Sequence, residues 1–269
     1  MSGGFRAFSF VDRILAHAPD AKVRGRYAVP AHATRFPPSL AAEAVGQLAA
    51  WAAMNALDFR VRPVAGLAGE TRFGRPFGPG DTLDLEVALE SATDSDVAYS
   101  GRALVGGETA LALDHALGPM LPAADFDDPD ALRSDFATLT TTGAPPGRFA
   151  GVPLPALAID DLVPGRRAKG TLAIPVDAPY FADHFPRKPV FPATLLMDAL
   201  GTLATVAAGG GARVTGMQDV KVRVFMPPGE TLAVTVDLAD DDGALTGRLV
   251  AKMQGKPAAT ARILLERAR

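Results

Sequence analysis

The sequence predicts an α+β fold built as two tandem repeats, each an antiparallel sheet curved around one long buried helix. Three observations carry that prediction. The chain repeats itself: Pro79-Gly80-Asp81-Thr82-Leu83 returns 149 residues later as Pro228-Gly229-Glu230-Thr231-Leu232, and self-similarity at a fixed spacing is the mark of a repeated unit. Each repeat holds a segment that is apolar nearly all round, LAAEAVGQLAAWAAMNAL after Phe36-Pro37 and LLMDALGTLATVAA after Phe191-Pro192. A helix without a polar face has to be buried on most sides. Closely spaced turn signals between alternating stretches near the C-terminus mean antiparallel hairpins.

The elements follow in order. FVDRIL places Asp12 and AIDDLV places Asp161 at the same 149-residue spacing, a short N-terminal element in each repeat. The two helices are 155 residues apart, so the second repeat carries six extra residues between Asp161 and Phe191. After each turn, Leu83, Leu85, Val87, Leu89 and Leu232, Val234, Val236, Leu238 alternate as a half-buried strand does. In the second repeat VKVRVF, TLAVTVDL, LTGRLVAKM and ATARILL read as strands, with Asp242-Gly243 and Gly255-Lys256 as turns. Residues 122–153, rich in Pro, Gly, Thr and Asp, read as a linker in which FDDPDALRSDFATL makes a short helix. The expected organisation is an N-terminal repeat over 1–121, the linker over 122–153 and a C-terminal repeat over 154–269.

Composition narrows the function classes. With 48% hydrophobic and 21% charged residues in 269, disorder and collagen are excluded. A formal net charge of −3 provides no basic footprint for nucleic acid. Without cysteine there is no disulfide, thiolate metal site or thiol nucleophile, and the histidines at 17, 32, 115 and 184 have no close ligand spacing. No metal and no other cofactor is expected. Arg6, Asp12 and Arg13 interrupt what would be the core of a secretory signal, and Glu43, Gln47 and Asn55 interrupt the longest apolar run. The expectation is a cytoplasmic protein with neither a membrane nor a nucleic-acid partner.

The extra residues of the second repeat contain His184-Phe185-Pro186-Arg187-Lys188-Pro189-Val190-Phe191-Pro192, three prolines in nine residues. Prolines at that density fix the backbone, and a catalytic base has to be held in place before its substrate arrives. Asp198 and Glu43 occupy equivalent positions of the two apolar helices. Burying an acid is costly unless it is paired or protonated, and desolvation raises its pKa. Each also has a purely structural reading, the histidine as a helix cap or core residue and the acids as groups paired with a backbone donor or a base.

His-Phe-Pro-x-x-Pro-x-x-Pro with a carboxylate fourteen residues after the histidine resembles the 3-hydroxyacyl-carrier-protein dehydratases of fatty-acid synthesis. The Pro-Gly-Asp-Thr-Leu turn and Val11-Asp12-Arg13 are similar to that family too, so the resemblance spans both repeats. It implies a fused double hot dog forming a pseudo-dimer within one chain, with further homo-oligomerisation left open. In such pairs each site takes its histidine from one unit and its carboxylate from the helix of the other. The resemblance therefore sets His184 against Glu43, with Gln47 completing Glu-x-x-x-Gln and the Ala193 N–H standing where the family has a glycine donor. The reciprocal site has Val29 where a histidine belongs, His32 in another register and Thr202 in place of the glutamine, so Asp198 and His32 mark a degenerate pseudo-site. Pro38 and Arg187 also replace family glycines.

The activity so implied is dehydration of a 3-hydroxyacyl thioester, carried on acyl carrier protein or coenzyme A, to a trans-2-enoyl thioester in fatty-acid or polyketide-type synthesis. His184 takes the proton beside the thioester carbonyl and protonated Glu43 donates to the leaving hydroxyl. Phe185, Pro192, Leu195, Leu196, Leu40 and Trp51 are the expected substrate-binding residues, and Arg187 and Lys188 the bases beside the entrance. Two rivals stand beside this reading: hydrolysis of a thioester on the same fold, and an inactive acyl-binding partner subunit.

Overall fold

Proline introduces both central helices. In the computed structural model, which describes residues 7–17, 22–145, 147–149, 151–241 and 244–267, the helices are α1 (Ser39–Ala56), α2 (Pro129–Thr140) and α3 (Ala193–Ala207). Pro38 precedes α1 and Pro192 precedes α3; at a helix start the missing N–H costs nothing. Leu40, Ala44, Val45 and Leu48 of α1 and Leu195, Leu196, Leu200 and Leu203 of α3 are buried. Three glycines with positive φ, Gly209 to Gly211, follow α3, a conformation that side-chain-bearing residues resist.

The strands before the linker are β1 (Arg13–Ala16), β2 (Val23–Ala28), β3 (Val61–Pro63), β4 (Leu67–Phe73), β5 (Thr82–Ala92), β6 (Asp96–Val105) and β7 (Glu108–Pro122). Those after it are β8 (Ala156–Val163), β9 (Arg167–Ala173), β10 (Ala212–Val222), β11 (Thr231–Asp241), β12 (Ala244–Met253) and β13 (Lys256–Arg267). They form one antiparallel sheet in the order β1-β2-β5-β6-β7-β4-β10-β13-β12-β11-β9-β8, with β3 added to β7. Every strand before the linker thus lies on one side of a single junction, where β4 pairs with β10 and Gly216, Met217 and Gln218 face Arg72, Thr71 and Glu70. Leu83, Leu85 and Val87 of β5 and Leu232, Val234 and Val236 of β11 are buried while their neighbours are not, as the alternation predicts. Where α1 crosses β6 the sheet carries Gly101; a Cβ there would lie 2.6 Å from Val45 Cγ1.

One expectation changes. The strand read as VKVRVF begins at Ala212 and ends at Val222. Its first part lacks alternation because Gly216 and Asp219, the latter at φ 52°, accompany breaks in its register with β13. The short helix read in FDDPDALRSDFATL is α2, and it is packed: Asp128 caps it by accepting from the Asp130 N–H, and Leu132, Phe136 and Leu139 are buried. Phe136 packs on Phe59 and Trp51, at 5.7 and 6.4 Å between ring centroids. The Asp242-Gly243 turn and Arg6 lie outside the described residues. Among the described residues no helix is long and apolar enough to cross a membrane.

Candidate active site

A cavity of about 450 Å³ is walled by α1, the first turn of α3, β6, β7 and the His184 loop. The loop leaves a 3₁₀ turn over Pro179–Ala182 and closes on itself, with His184 N–H bonded to Tyr180 O at 2.9 Å and Val190 N–H to His184 O at 3.0 Å. His184 Nδ1 lies 2.9 Å from Val190 O. A carbonyl only accepts, so Nδ1 carries the hydrogen and Nε2 keeps its lone pair. The ring is deeply set although one side faces the cavity. Burial holds its pKa below the ordinary 6.5, the Glu43 charge and the Val190 bond oppose that, and the Arg62 charge adds to it.

Glu43 reaches the same cavity from α1. Its Oε2 accepts from Thr194 Oγ1 of α3 at 2.7 Å, and its Oε1 accepts from Gln47 Nε2, one helical turn on, at 3.1 Å. Gln47 is fixed in turn by the N-terminal segment, donating to Phe8 O at 2.9 Å and accepting from the Phe10 N–H at 2.8 Å. Ala193, the first residue of α3, lines the cavity. The N–H groups of Leu195 and Leu196 turn to Pro192 O, and no side chain caps the helix. The Ala193 N–H has no acceptor among the described residues, at the helix end that favours negative charge.

Trp51 and Phe185 line the cavity as expected residues. Leu40, Leu195 and Leu196 do not: they are fully buried in the core, and Pro192 is likewise absent from the cavity wall. The stripe of α1 that faces the cavity is Ala42, Glu43, Gly46, Gln47, Ala50 and Trp51, three and four residues apart as a 3.6-residue period requires. Leu40 is on the other side. At the expected degenerate pseudo-site, Asp198 and His32 have separate surroundings. Arg35 Nη2 holds both Asp198 oxygens, at 3.1 and 3.3 Å, while His32 is exposed with its ring beside Gly147. Burial raises the Asp198 pKa and Arg35 opposes it.

Several residues went unread in the sequence. Thr194 and Arg62 both line the cavity. Arg62, on β3, is buried, lies 3.3 Å from Asp127 and sits over the Phe185 ring; burial pushes its pKa down to about 10, against the pull of Asp127. A lone arginine in a three-residue strand has no local signal. The bases expected at the entrance are engaged: Arg187 Nη1 donates to Ala124 O at 2.8 Å, and Lys188 Nζ lies over the Phe225 and Phe126 rings. Among the described residues no group of three or more His, Asp or Glu is placed to hold a metal ion.

The family model described as ApeI dehydratase matches residues 162–261, a span that contains His184 and Ala193 but not Glu43. The chain is 33% identical over 120 residues to the 3-hydroxyacyl-[acyl-carrier-protein] dehydratase FabZ of Acetivibrio thermocellus, covering 40% of this chain and 82% of that protein. It is 33% identical over 114 residues to the FabZ of Clostridium botulinum, covering 39% and 79%. Among solved structures, an acyl-ACP thioesterase from Bacteroides thetaiotaomicron covers 91% of this chain and 98% of its own at a TM-score of 0.55 and 8% identity. A MaoC-like dehydratase covers 93% and 98% at 0.51 and 14%. These last two likenesses are of fold, and they make the architecture hot-dog-like over most of the chain. The identity with FabZ, over four-fifths of the Acetivibrio protein's length, goes further: this chain belongs to the 3-hydroxyacyl-[acyl-carrier-protein] dehydratase family.

Proposed function

We propose that the chain is two hot-dog units, 1–121 and 154–269 joined by 122–153, with one dehydratase centre built across them. The observation that carries this is that His184 of the second unit, its Nδ1 turned to Val190 O, and Glu43 of the first wall the same cavity. The substrate class is a 3-hydroxyacyl thioester on acyl carrier protein or coenzyme A. His184 Nε2 takes the proton from the carbon beside the thioester carbonyl, and the electron pair moves toward that carbonyl. The bond from the β-carbon to the hydroxyl breaks, protonated Glu43 gives that oxygen its proton, and water and a trans-2-enoyl thioester leave. Charge that gathers on the thioester oxygen meets the Ala193 N–H at the start of α3. Gln47 and Thr194 hold the Glu43 carboxyl in place. Asp198, bound by Arg35, takes no part, which leaves one centre per chain.

The test is hydration of crotonyl and longer enoyl thioesters, and the reverse dehydration, on both carriers. Turnover by the wild type that His184→Ala and Glu43→Gln each abolish is expected. A wild type inactive on every thioester, or a His184→Ala variant as active as wild type, overturns the reading.

A further inference from the structure

Arg62 is 9% exposed. A guanidinium taken out of water needs compensation, and this one has Asp127 Oδ2 at 3.3 Å, while its Nε has no acceptor among the described residues. Its other neighbour is an aromatic face: Cζ lies 4.0 Å from the centroid of the Phe185 ring, close for a cation–π contact. The His184 ring stacks on that same Phe185 ring, 4.2 Å between centroids and 24° between planes. Two groups that near one centroid leave no room on a shared face, so the order is guanidinium, phenyl, imidazole. Phe126 closes the stack edge-on at 5.3 Å, and the Arg187 N–H donates to Phe126 O at 3.0 Å. The linker thus supplies both Asp127, which holds Arg62, and Phe126, which holds Phe185.

We infer that Arg62, locked by Asp127, is a positioning residue that presses on Phe185 and sets the His184 imidazole against the cavity. The inference rests on the reading of His184 as the general base. It adds to that reading a role for β3 of the first unit and for the linker in aiming the base of the second. The stack also has an electrical side. The charged groups that bear on His184 are Arg62 from β3 and Glu43 from α1, with Asp127 behind Arg62 and Asp183 beside it in the loop, its Oδ2 accepting from the Phe8 N–H at 2.6 Å. A fixed cation there disfavours a second one on the imidazole.

The experiment follows the His184 ring proton by NMR against pH, assigned with His184→Ala, alongside kcat and KM, in wild type, Arg62→Met, Arg62→Lys and Asp127→Asn. Arg62→Met is expected to raise the His184 pKa by about half a unit and to lower kcat about tenfold with little change in KM. Arg62→Lys keeps the charge without the planar fork, so the pKa stays near wild type while kcat remains low. Asp127→Asn leaves the Arg62 charge unscreened and moves the His184 pKa down, opposite to Arg62→Met. Where Arg62→Met does not fold, the other two variants carry the same test. Wild-type kcat and titration in Arg62→Met, or shifts of one sign in Arg62→Met and Asp127→Asn, overturn the inference. A wild type that turns over no thioester while the opposite shifts persist overturns the dehydratase reading and supports the stack.

Discussion

Thr194 Oγ1 donates to Glu43 Oε2 at 2.7 Å, tying the first turn of α3 to α1. One short bond therefore fixes the Glu43 carboxyl by the same helix start that offers the Ala193 N–H. Thr194→Val keeps the shape and removes the donor, and such a bond is worth about 1 kcal/mol. The expected result is a kcat about five- to tenfold lower, with Thr194→Ser close to wild type. Steady-state kinetics of the two variants check it; a Thr194→Val enzyme with unchanged kcat removes the bond from the mechanism.

The buried imidazole makes a prediction about pH. Because burial sets the His184 pKa below 6.5, the imidazole is more than half neutral at pH 6.5, and, with His184 as the proposed base, the midpoint of the acid limb of kcat/KM should lie below that value. A rate profile measured on either side of pH 6.5 checks this, and an acid limb at or above 6.5 contradicts it. Stability follows the same sign. Between the depressed native pKa and 6.5 the unfolded chain binds a proton that the native chain refuses, so His184 lowers stability as pH falls through that window. His184→Gln should flatten that part of the stability curve measured by denaturant unfolding.

Asp198 is the counterpart of Glu43 in sequence and not in surroundings. With its oxygens on Arg35 and no histidine against it among the described residues, Asp198→Asn is expected to leave turnover within about twofold of wild type. Arg35 is half exposed, so the change in stability should stay within about 1 kcal/mol. Turnover lost in Asp198→Asn and retained in Glu43→Gln is the pattern that reverses the assignment.

How much of this was legible depended on the distance over which each signal acts. The apolar helices and the alternation of Leu83, Leu85 and Val87 are local patterns, and they were readable. Which face of α1 meets the cavity was not: where nearly every residue is apolar, periodicity has no contrast, and Leu40 looked as suitable as Trp51. Packing decides it, since Ala42, Gly46 and Ala50 leave room and Leu40 fills the core. That His184 and Glu43 line one cavity was expected only through family resemblance. Thr194 on Glu43 and Arg62 on Asp127 join residues 151 and 65 positions apart, and no spacing rule reaches across such gaps.

The junction of β4 with β10 is made inside one polypeptide, as is the meeting of His184 with Glu43, which stand 141 positions apart in it. Partners within one chain meet at an effective concentration set by the connecting chain, and not by how much protein is present. Dilution therefore does not part His184 from Glu43, whereas a site shared between separate subunits comes undone once the protein is scarcer than their dissociation constant. The single chain also fixes which residues meet, so the surroundings of Asp198 are free to diverge from those of Glu43 without spoiling a partner elsewhere.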